Sequence, residues 1–209
     1  MKTLSLADHG PVIPVIVLHA VEDAVPLAEA LVAGGVKVLE ITLRTPVAMK
    51  CIEAIAGTVP DAIVGAGTVR NATEARAALN AGCRFAVSPG YTSEIGTACR
   101  NIGLPLLPGV ATASEIMTAQ DDGMQFLKFF PATAAGGLPM LKAWAGPFQD
   151  VMFCPTGGIT VKTAPEFLAL PNVKVCGGSW LTPAELVEAR DWKAITRLAQ
   201  EASQLRPAG

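Results

Sequence analysis

Apolar residues gather along this chain in short, β-branched runs, and between the runs they recur at helical spacing. The first run, residues 12–18 (VIPVIVL), has no polar face, which is the pattern of a strand covered on both sides in a parallel sheet. Residues 22–33 then repeat apolar positions at helical spacing and stop at Gly34-Gly35, a helix C-terminal signal. The unit recurs as strand 36–43 with helix 46–56, strand 62–69 with helix 72–80 ended near Gly82, strand 85–88 with helix 92–101, and strand 104–107 with helix 113–120. A strand through the stretch 123–132 precedes a helix around 138–143. Strand 151–154 is followed by helix 161–168, and strand 173–176 by helix 183–189. A C-terminal helix lies within about 191–205, its apolar spacing running over 194–205, and residues 1–9 read as a short N-terminal cap over one end of the fold.

Strand and helix thus alternate about eight times, which predicts consecutive right-handed βαβ units and an α/β fold of the (β/α)8 kind, a TIM barrel with parallel strands. An open, doubly wound sheet would be signalled by a glycine-rich fingerprint after the first strand; His19-Ala20-Val21-Glu22 stands there instead. No linker or shift in composition divides the chain, so residues 1–209 read as a single barrel domain.

Composition narrows the partners. With 51% hydrophobic residues, 209 residues can bury a large core. Charged residues make up 16% and the formal net charge is −2, so no strong field draws nucleic acid or an anionic membrane, and a small molecule is the expected partner. The five cysteines, Cys51, Cys83, Cys99, Cys154 and Cys176, are scattered without Cys-x-x-Cys spacing and read as reduced core residues. His9 and His19 are the only histidines and belong to no histidine-carboxylate motif, so no metal site is expected. With neither a secretory h-region nor a bilayer-length apolar run, the chain reads as soluble and cytoplasmic.

Against this apolar background the polar residues inside strands stand out. Lys128 lies in Phe126-Leu127-Lys128-Phe129-Phe130, and taking an ammonium out of water costs several kcal/mol. Desolvation favours the neutral amine, the form that attacks a carbonyl carbon to give a Schiff base, so Lys128 is the candidate nucleophile. The strand alone is equally compatible with a lysine that snorkels to solvent or pairs with a carboxylate.

In a barrel the chemistry collects at the C-terminal ends of the strands. Glu40, Thr42 and Arg44 share one face of the second strand by alternation. If that face looks into the barrel mouth, Glu40 suits general acid/base work and Arg44 suits bidentate binding of a carboxylate; an internal Glu40–Arg44 ion pair is the other reading. Gly65-Ala66-Gly67-Thr68 leaves room for a ligand beside one hydroxyl, although taken singly this stretch, Ser88-Pro89-Gly90 and Pro108-Gly109 all read as turns. Strands seven and eight end in Thr156-Gly157-Gly158 and Gly177-Gly178-Ser179, where the backbone can approach an anion closely; these loops suit a phosphate, against the plainer reading of turn glycines.

These residues resemble the 2-keto-3-deoxy-6-phosphogluconate (KDPG) aldolase / 4-hydroxy-2-oxoglutarate aldolase family. The likeness is carried by residues 35–44 (GVKVLEITLR), which resemble its glutamate signature, and by Gly123 through Lys128-Phe129-Phe130-Pro131-Ala132 to Gly136, which resembles its Schiff-base lysine signature. It continues through 64–68, 88–90, 155–158 and 177–180, nearly the whole chain. The resemblance implies a class I aldolase of the Entner–Doudoroff pathway that cleaves 2-keto-3-deoxy-6-phosphogluconate reversibly to pyruvate and glyceraldehyde 3-phosphate. It implies no metal, no cofactor and a homotrimer. The alternative substrates are 4-hydroxy-2-oxoglutarate and 2-keto-3-deoxy-6-phosphogalactonate.

By position, the resemblance implies Lys128 as the Schiff-base lysine and Glu40 as the proton-transferring carboxylate. Arg44 and Thr68 would hold the pyruvate end with Thr156 nearby, Gly157, Gly158 and Ser179 the phosphate, and Pro89 and Phe130 would line the pocket. One departure stands at the end of the first strand, where the family often carries Lys or Arg and this chain has His19, a weaker anion contact when neutral. A phosphosugar isomerase or epimerase would have no evident need for Lys128, and a binding-only barrel would leave the pair Glu40 and Lys128 unexplained.

Overall fold

A computed structural model describes residues 3–205 of the protein, so residues 1 and 2 of the expected cap and the last four residues of the expected domain lie outside the described residues. The alternation read from the sequence becomes an α/β fold in which every paired strand is parallel to its neighbour. Strands β1 (Val12–Ile16), β2 (Val38–Thr42), β3 (Ile63–Gly67), β4 (Phe85–Val87) and β5 (Leu106–Leu107) are joined in one sheet by β9 (Cys176–Gly178). Its order is β5-β4-β3-β2-β1-β9, so β1 sits between β2 and the last strand. A second sheet has the order β6-β7-β8, with β6 at Gly109–Val110, β7 at Phe126–Phe129 and β8 at Met152–Pro155. Single bridges Phe153–Val173 and Thr156–Gly177 link β8 to the segment that carries β9.

The two sheets part at Pro108, which separates β5 from β6. Proline has no N–H to give to a ladder, while its carbonyl still accepts the Lys128 N–H at 2.8 Å. The strand expected at 104–107 is regular over Leu106–Leu107, and pairing resumes beyond the proline at Gly109–Val110.

Strand residues alternate between two cores, as a pleat requires. On the outer face, Leu39, Ile41, Val64, Ala66, Leu127 and Phe129 pack with the helices. On the concave face, Ile13, Val38, Ile63, Phe85, Val87, Leu107, Phe126 and Val175 pack with one another and with Leu6. Leu6 belongs to the 3-10 segment Thr3–His9 and is fully buried in this cluster.

Helices follow the strands at α1 (Ala24–Ala33), α2 (Ala48–Thr58), α3 (Ala72–Asn80), α4 (Ser93–Asn101), α5 (Ala113–Asp121) and α6 (Gly137–Trp144). They continue as α7 (Ala164–Leu168), α8 (Ala184–Glu188) and α9 (Trp192–Ser203). Asn71, Thr92, Thr112 and Asp191 cap their helices with side-chain oxygens, and Thr112 with Glu115 forms a complete capping box. Each such cap stabilises by about 1 kcal/mol.

Three elements differ from the sequence pattern. Helix 161–168 shrinks to α7 because Thr160 and Thr163 exchange side-chain hydrogen bonds, with Thr160 N–H donating to Thr163 Oγ1 at 3.0 Å and Thr163 N–H to Thr160 Oγ1 at 3.3 Å. The last strand, expected over 173–176, is regular from Cys176 onward to Gly178, with Val173 joined to Phe153 by a single bridge. The helix expected from residue 22 begins as a 3-10 turn, Val21–Asp23. Among the described residues no helix is long and apolar enough to cross a membrane.

All five cysteines are free and buried. Burial pushes the thiol of Cys99 up to about 11 and those of Cys83 and Cys154 up to about 12. At about pH 8 a thiol of pKa about 11 is ionised in only about one molecule in a thousand, and the thiolate is the reactive form. The native protein should therefore react slowly with Ellman's reagent and release all its thiols rapidly in denaturant. A fast-reacting thiol in the folded protein would contradict this burial.

Candidate active site

The polar centre of the concave face comes from two strands far apart in sequence. In β2, Glu40 lies opposite Val15 of β1 and Gly65 of β3; in β7, Lys128 lies opposite Gly109 of β6 and Cys154 of β8. Lys128 Nζ donates to Glu40 Oε1 at 3.1 Å, and the residues are 3% and 2% exposed. Of the readings open for Lys128, the structure shows one paired with a carboxylate inside the fold. A Glu40–Arg44 pair is not among the ion pairs of the described residues. The Phe130 ring, its centroid 5.2 Å from Lys128 Nζ, adds a cation–π contact from the end of the same strand.

Glu40 has room because β3 ends in glycine. A Cβ on Gly67 would overlap Glu40 Oε1 and lie 2.7 Å from its Cγ and 2.9 Å from its Cδ. Thr42, next on that face, is occupied structurally, donating to the Ile16 carbonyl at 2.9 Å.

Arg44 stands exposed beyond the end of β2, and its Nε donates to Thr68 Oγ1 at 3.3 Å. Thr68 has φ +63°, a left-handed conformation that costs a β-branched residue about 1–3 kcal/mol, so its hydroxyl is held toward Arg44 at the expense of backbone strain. Among the described residues, no other N–H of the Arg44 guanidinium donates to the protein.

Above the ion pair a cavity of about 110 Å³ is lined by Val15, Arg44, Phe130, Thr156, Gly157, Gly158, Ile159, Gly177, Gly178 and Ser179. Six residues singled out from sequence therefore meet here: Arg44, Phe130, Thr156, Gly157, Gly158 and Ser179. Gly157 and Gly158 have φ of +101° and +77°, conformations open to glycine. Lys128, Glu40, Thr68 and Pro89 are not among its lining residues; Pro89 is half-buried beyond β4, where its carbonyl would collide with any side chain at Gly109, the partner of Lys128. A wider hollow of about 380 Å³ between α3 and α4 is edged by the exposed Arg76, Glu94, Thr97 and Asn101, and is a solvated groove. Among the described residues, no group of three or more His, Cys, Asp and Glu stands together as a metal site.

Sequence reasoning missed the part played by Gly67 and Gly177. The second glycine leaves no space for a side chain against the Thr156 hydroxyl. The available signal was small residues inside otherwise bulky apolar runs, which mean that a neighbour's side chain fills the gap.

The family model described as KDPG and KHG aldolase matches residues 5–198. The 2-dehydro-3-deoxy-phosphogluconate aldolase of Pseudoalteromonas atlantica is 53% identical over 194 residues, 93% of this chain and 90% of that one. The KHG/KDPG aldolase of Escherichia coli is 52% identical over 198 residues, covering 95% and 93%. The crystal structure of KDPG aldolase from Legionella pneumophila, with pyruvate captured at low pH as a covalent carbinolamine intermediate, has a TM-score of 0.95 at 50% identity, covering 98% of this chain and 99% of that one. With likeness of this extent over almost its whole length, the chain belongs to the KDPG and KHG aldolase family.

Proposed function

We propose that the protein is a class I aldolase that cleaves 2-keto-3-deoxy-6-phosphogluconate to pyruvate and glyceraldehyde 3-phosphate, reversibly, with Lys128 as the Schiff-base residue. The observation that carries the reading is the buried contact of 3.1 Å between Lys128 Nζ and Glu40 Oε1 beneath a glycine-lined cavity. In this reading Glu40 takes a proton from Lys128, leaving the neutral amine to attack the C2 ketone of the substrate. Glu40 returns that proton to the carbinolamine hydroxyl, which leaves as water and gives a protonated imine with Glu40 again a carboxylate; the imine is an electron sink that does the polarising work a metal does in other aldolases.

Glu40, directly or through a water, then removes the proton from the C4 hydroxyl. The C3–C4 bond breaks, its electron pair moves into the imine to form the pyruvate enamine, and the aldehyde product leaves. Protonation at C3 and hydrolysis release pyruvate and restore the lysine. Arg44 and Thr68 hold the pyruvate carboxylate with Thr156 nearby, Phe130 and Pro89 shape the pocket, and Gly157, Gly158 and Ser179 receive the phosphate. Support for that division comes from Arg44 and the glycine turn lining one cavity, which gives an anion at each end of the substrate its own partner.

The fold that goes with this reading is one domain with a closed ring of eight parallel strands, β5 and β6 counting as one strand interrupted at Pro108. It is supported by the pairing of β1 with β9 and by the bridges between β8 and the β9 segment. A homotrimer in the cytoplasm is supported by the family resemblance. A second substrate, 4-hydroxy-2-oxoglutarate, is favoured by the name of the Escherichia coli relative, a KHG/KDPG aldolase; its distal carboxylate would use the same cradle.

Incubation with pyruvate and borohydride should leave a stable adduct, visible by mass spectrometry, on the peptide that contains Lys128. Lys128→Ala should lose both adduct and turnover, with Lys128→Arg as the control that keeps a cation in the buried pair; activity retained in Lys128→Ala would end the Schiff-base assignment. Glu40→Gln should slow turnover about a hundredfold to ten-thousandfold while some imine still forms. An unchanged rate would make Glu40 structural. Gly67→Ala, which pushes the Glu40 carboxylate aside, should leave the pyruvate adduct trappable and slow proton exchange at the pyruvate methyl group about a hundredfold, measured by NMR in deuterated water. Equal exchange in the variant and the parent would refute the spatial role given to Gly67.

A further inference from the structure

The glycine turn at the mouth of the cavity has no side chains with which to hold its own shape. Gly157 and Gly158 are both left-handed, and their fixed points lie in the loop after β7. Ala132 N–H donates to the Thr156 carbonyl at 2.7 Å. The Gly157 carbonyl then accepts twice from Thr133, from its N–H at 3.1 Å and from its hydroxyl at 2.9 Å. A Cβ on Gly158 would sit 2.7 Å from Thr133 Cβ, so the turn rests directly on this side chain.

A carbonyl has two lone pairs, and Thr133 supplies a donor to each. In a trans peptide the C=O and the following N–H point in opposite directions within one plane. Drawing the Gly157 carbonyl onto Thr133 therefore turns the Gly158 N–H the other way, and Gly158 lines the cavity. Among the described residues that N–H has no protein acceptor, which leaves it for an anion.

We propose that Thr133 is a positioning residue for the distal anion: by clamping the Gly157 carbonyl it aims the Gly158 N–H at the substrate phosphate, and so sets preference for a phosphorylated over an unphosphorylated 2-keto acid. The inference rests on the phosphate reading of the cradle given above. Thr133 touches no reacting atom in this account. Its hydroxyl acts through the peptide it orients.

The test compares the parent enzyme with Thr133→Val, which keeps the shape and removes the hydroxyl, and Thr133→Ser, which restores it. Each is assayed on the phosphorylated substrate and on its unphosphorylated counterpart, with inorganic phosphate as a competitive inhibitor and with melting temperature recorded. Thr133→Val should raise KM for the phosphorylated substrate and the inhibition constant for phosphate about threefold to tenfold, the worth of one neutral hydrogen bond. Its kcat and its kinetics on the unphosphorylated substrate should stay within about twofold, and Thr133→Ser should resemble the parent. Equal losses on both substrates, or none on either, would overturn the assignment, as would a loss that Thr133→Ser fails to restore. A parent enzyme with no phosphate preference, although Lys128 forms the pyruvate adduct, would overturn the cradle itself and the inference with it. If Thr133→Val does not fold, Thr133→Ala takes its place in the same comparison.

Discussion

An ion pair held out of water sets the terms for the rest of this molecule. Burying Lys128 and Glu40 costs several kcal/mol for each charge, and the attraction between them offsets that cost only when the geometry is close and both groups stay paired. Removing one partner strands the other, with a cost of about 3–5 kcal/mol. A fold that carries such a pair must therefore bring β2 and β7 into register across its concave face, and it must leave space for both side chains there. Both conditions are met by backbone: the parallel registers fix the positions, and a glycine at the end of β3 leaves the carboxylate its room.

The surroundings of the pair are graded from dry to wet. Below it, toward the strand beginnings, the concave face is filled by Ile13, Val38, Phe85 and Phe126. Above it stand Phe130, Thr156 and the glycine turns, and at the rim stand the exposed Arg44 and Ser179. A bond between the amine and a ketone would thus form where water is scarce, while anionic groups of the same ligand would reach the donors nearer to solvent. That gradient follows from strand direction alone, because helices and turns take over at the C-terminal ends, where backbone N–H groups become available.

Much of this could be read before any coordinates. Continuous apolar runs such as 12–18 identify strands buried on both faces, and Gly34-Gly35 marks where a helix stops. Lys128 and Glu40 stood out for the same reason, as charges in runs that should hold none. What local pattern cannot carry is distance across the fold: the two residues are 88 positions apart, and only the strand order makes them neighbours. Nor does spacing reveal that Thr160 and Thr163 bond each other and shorten α7, or that Gly177 and Gly178, which lack apolar side chains, extend the last strand. The clamp of Thr133 on Gly157 is likewise a contact between loops, with no periodicity to announce it.

Leu6 has a consequence for traffic. Its fully buried side chain, set among the first residues of several strands, stoppers the concave face from beneath. If the strands close into the ring proposed above, that leaves the Lys128–Glu40 pair approachable only from the side where the strands end. Under the proposed chemistry the fragment at the rim would then leave first, and the fragment bonded to Lys128 would wait for hydrolysis. Order of release would be a matter of depth, imposed in part by an N-terminal segment that touches neither fragment.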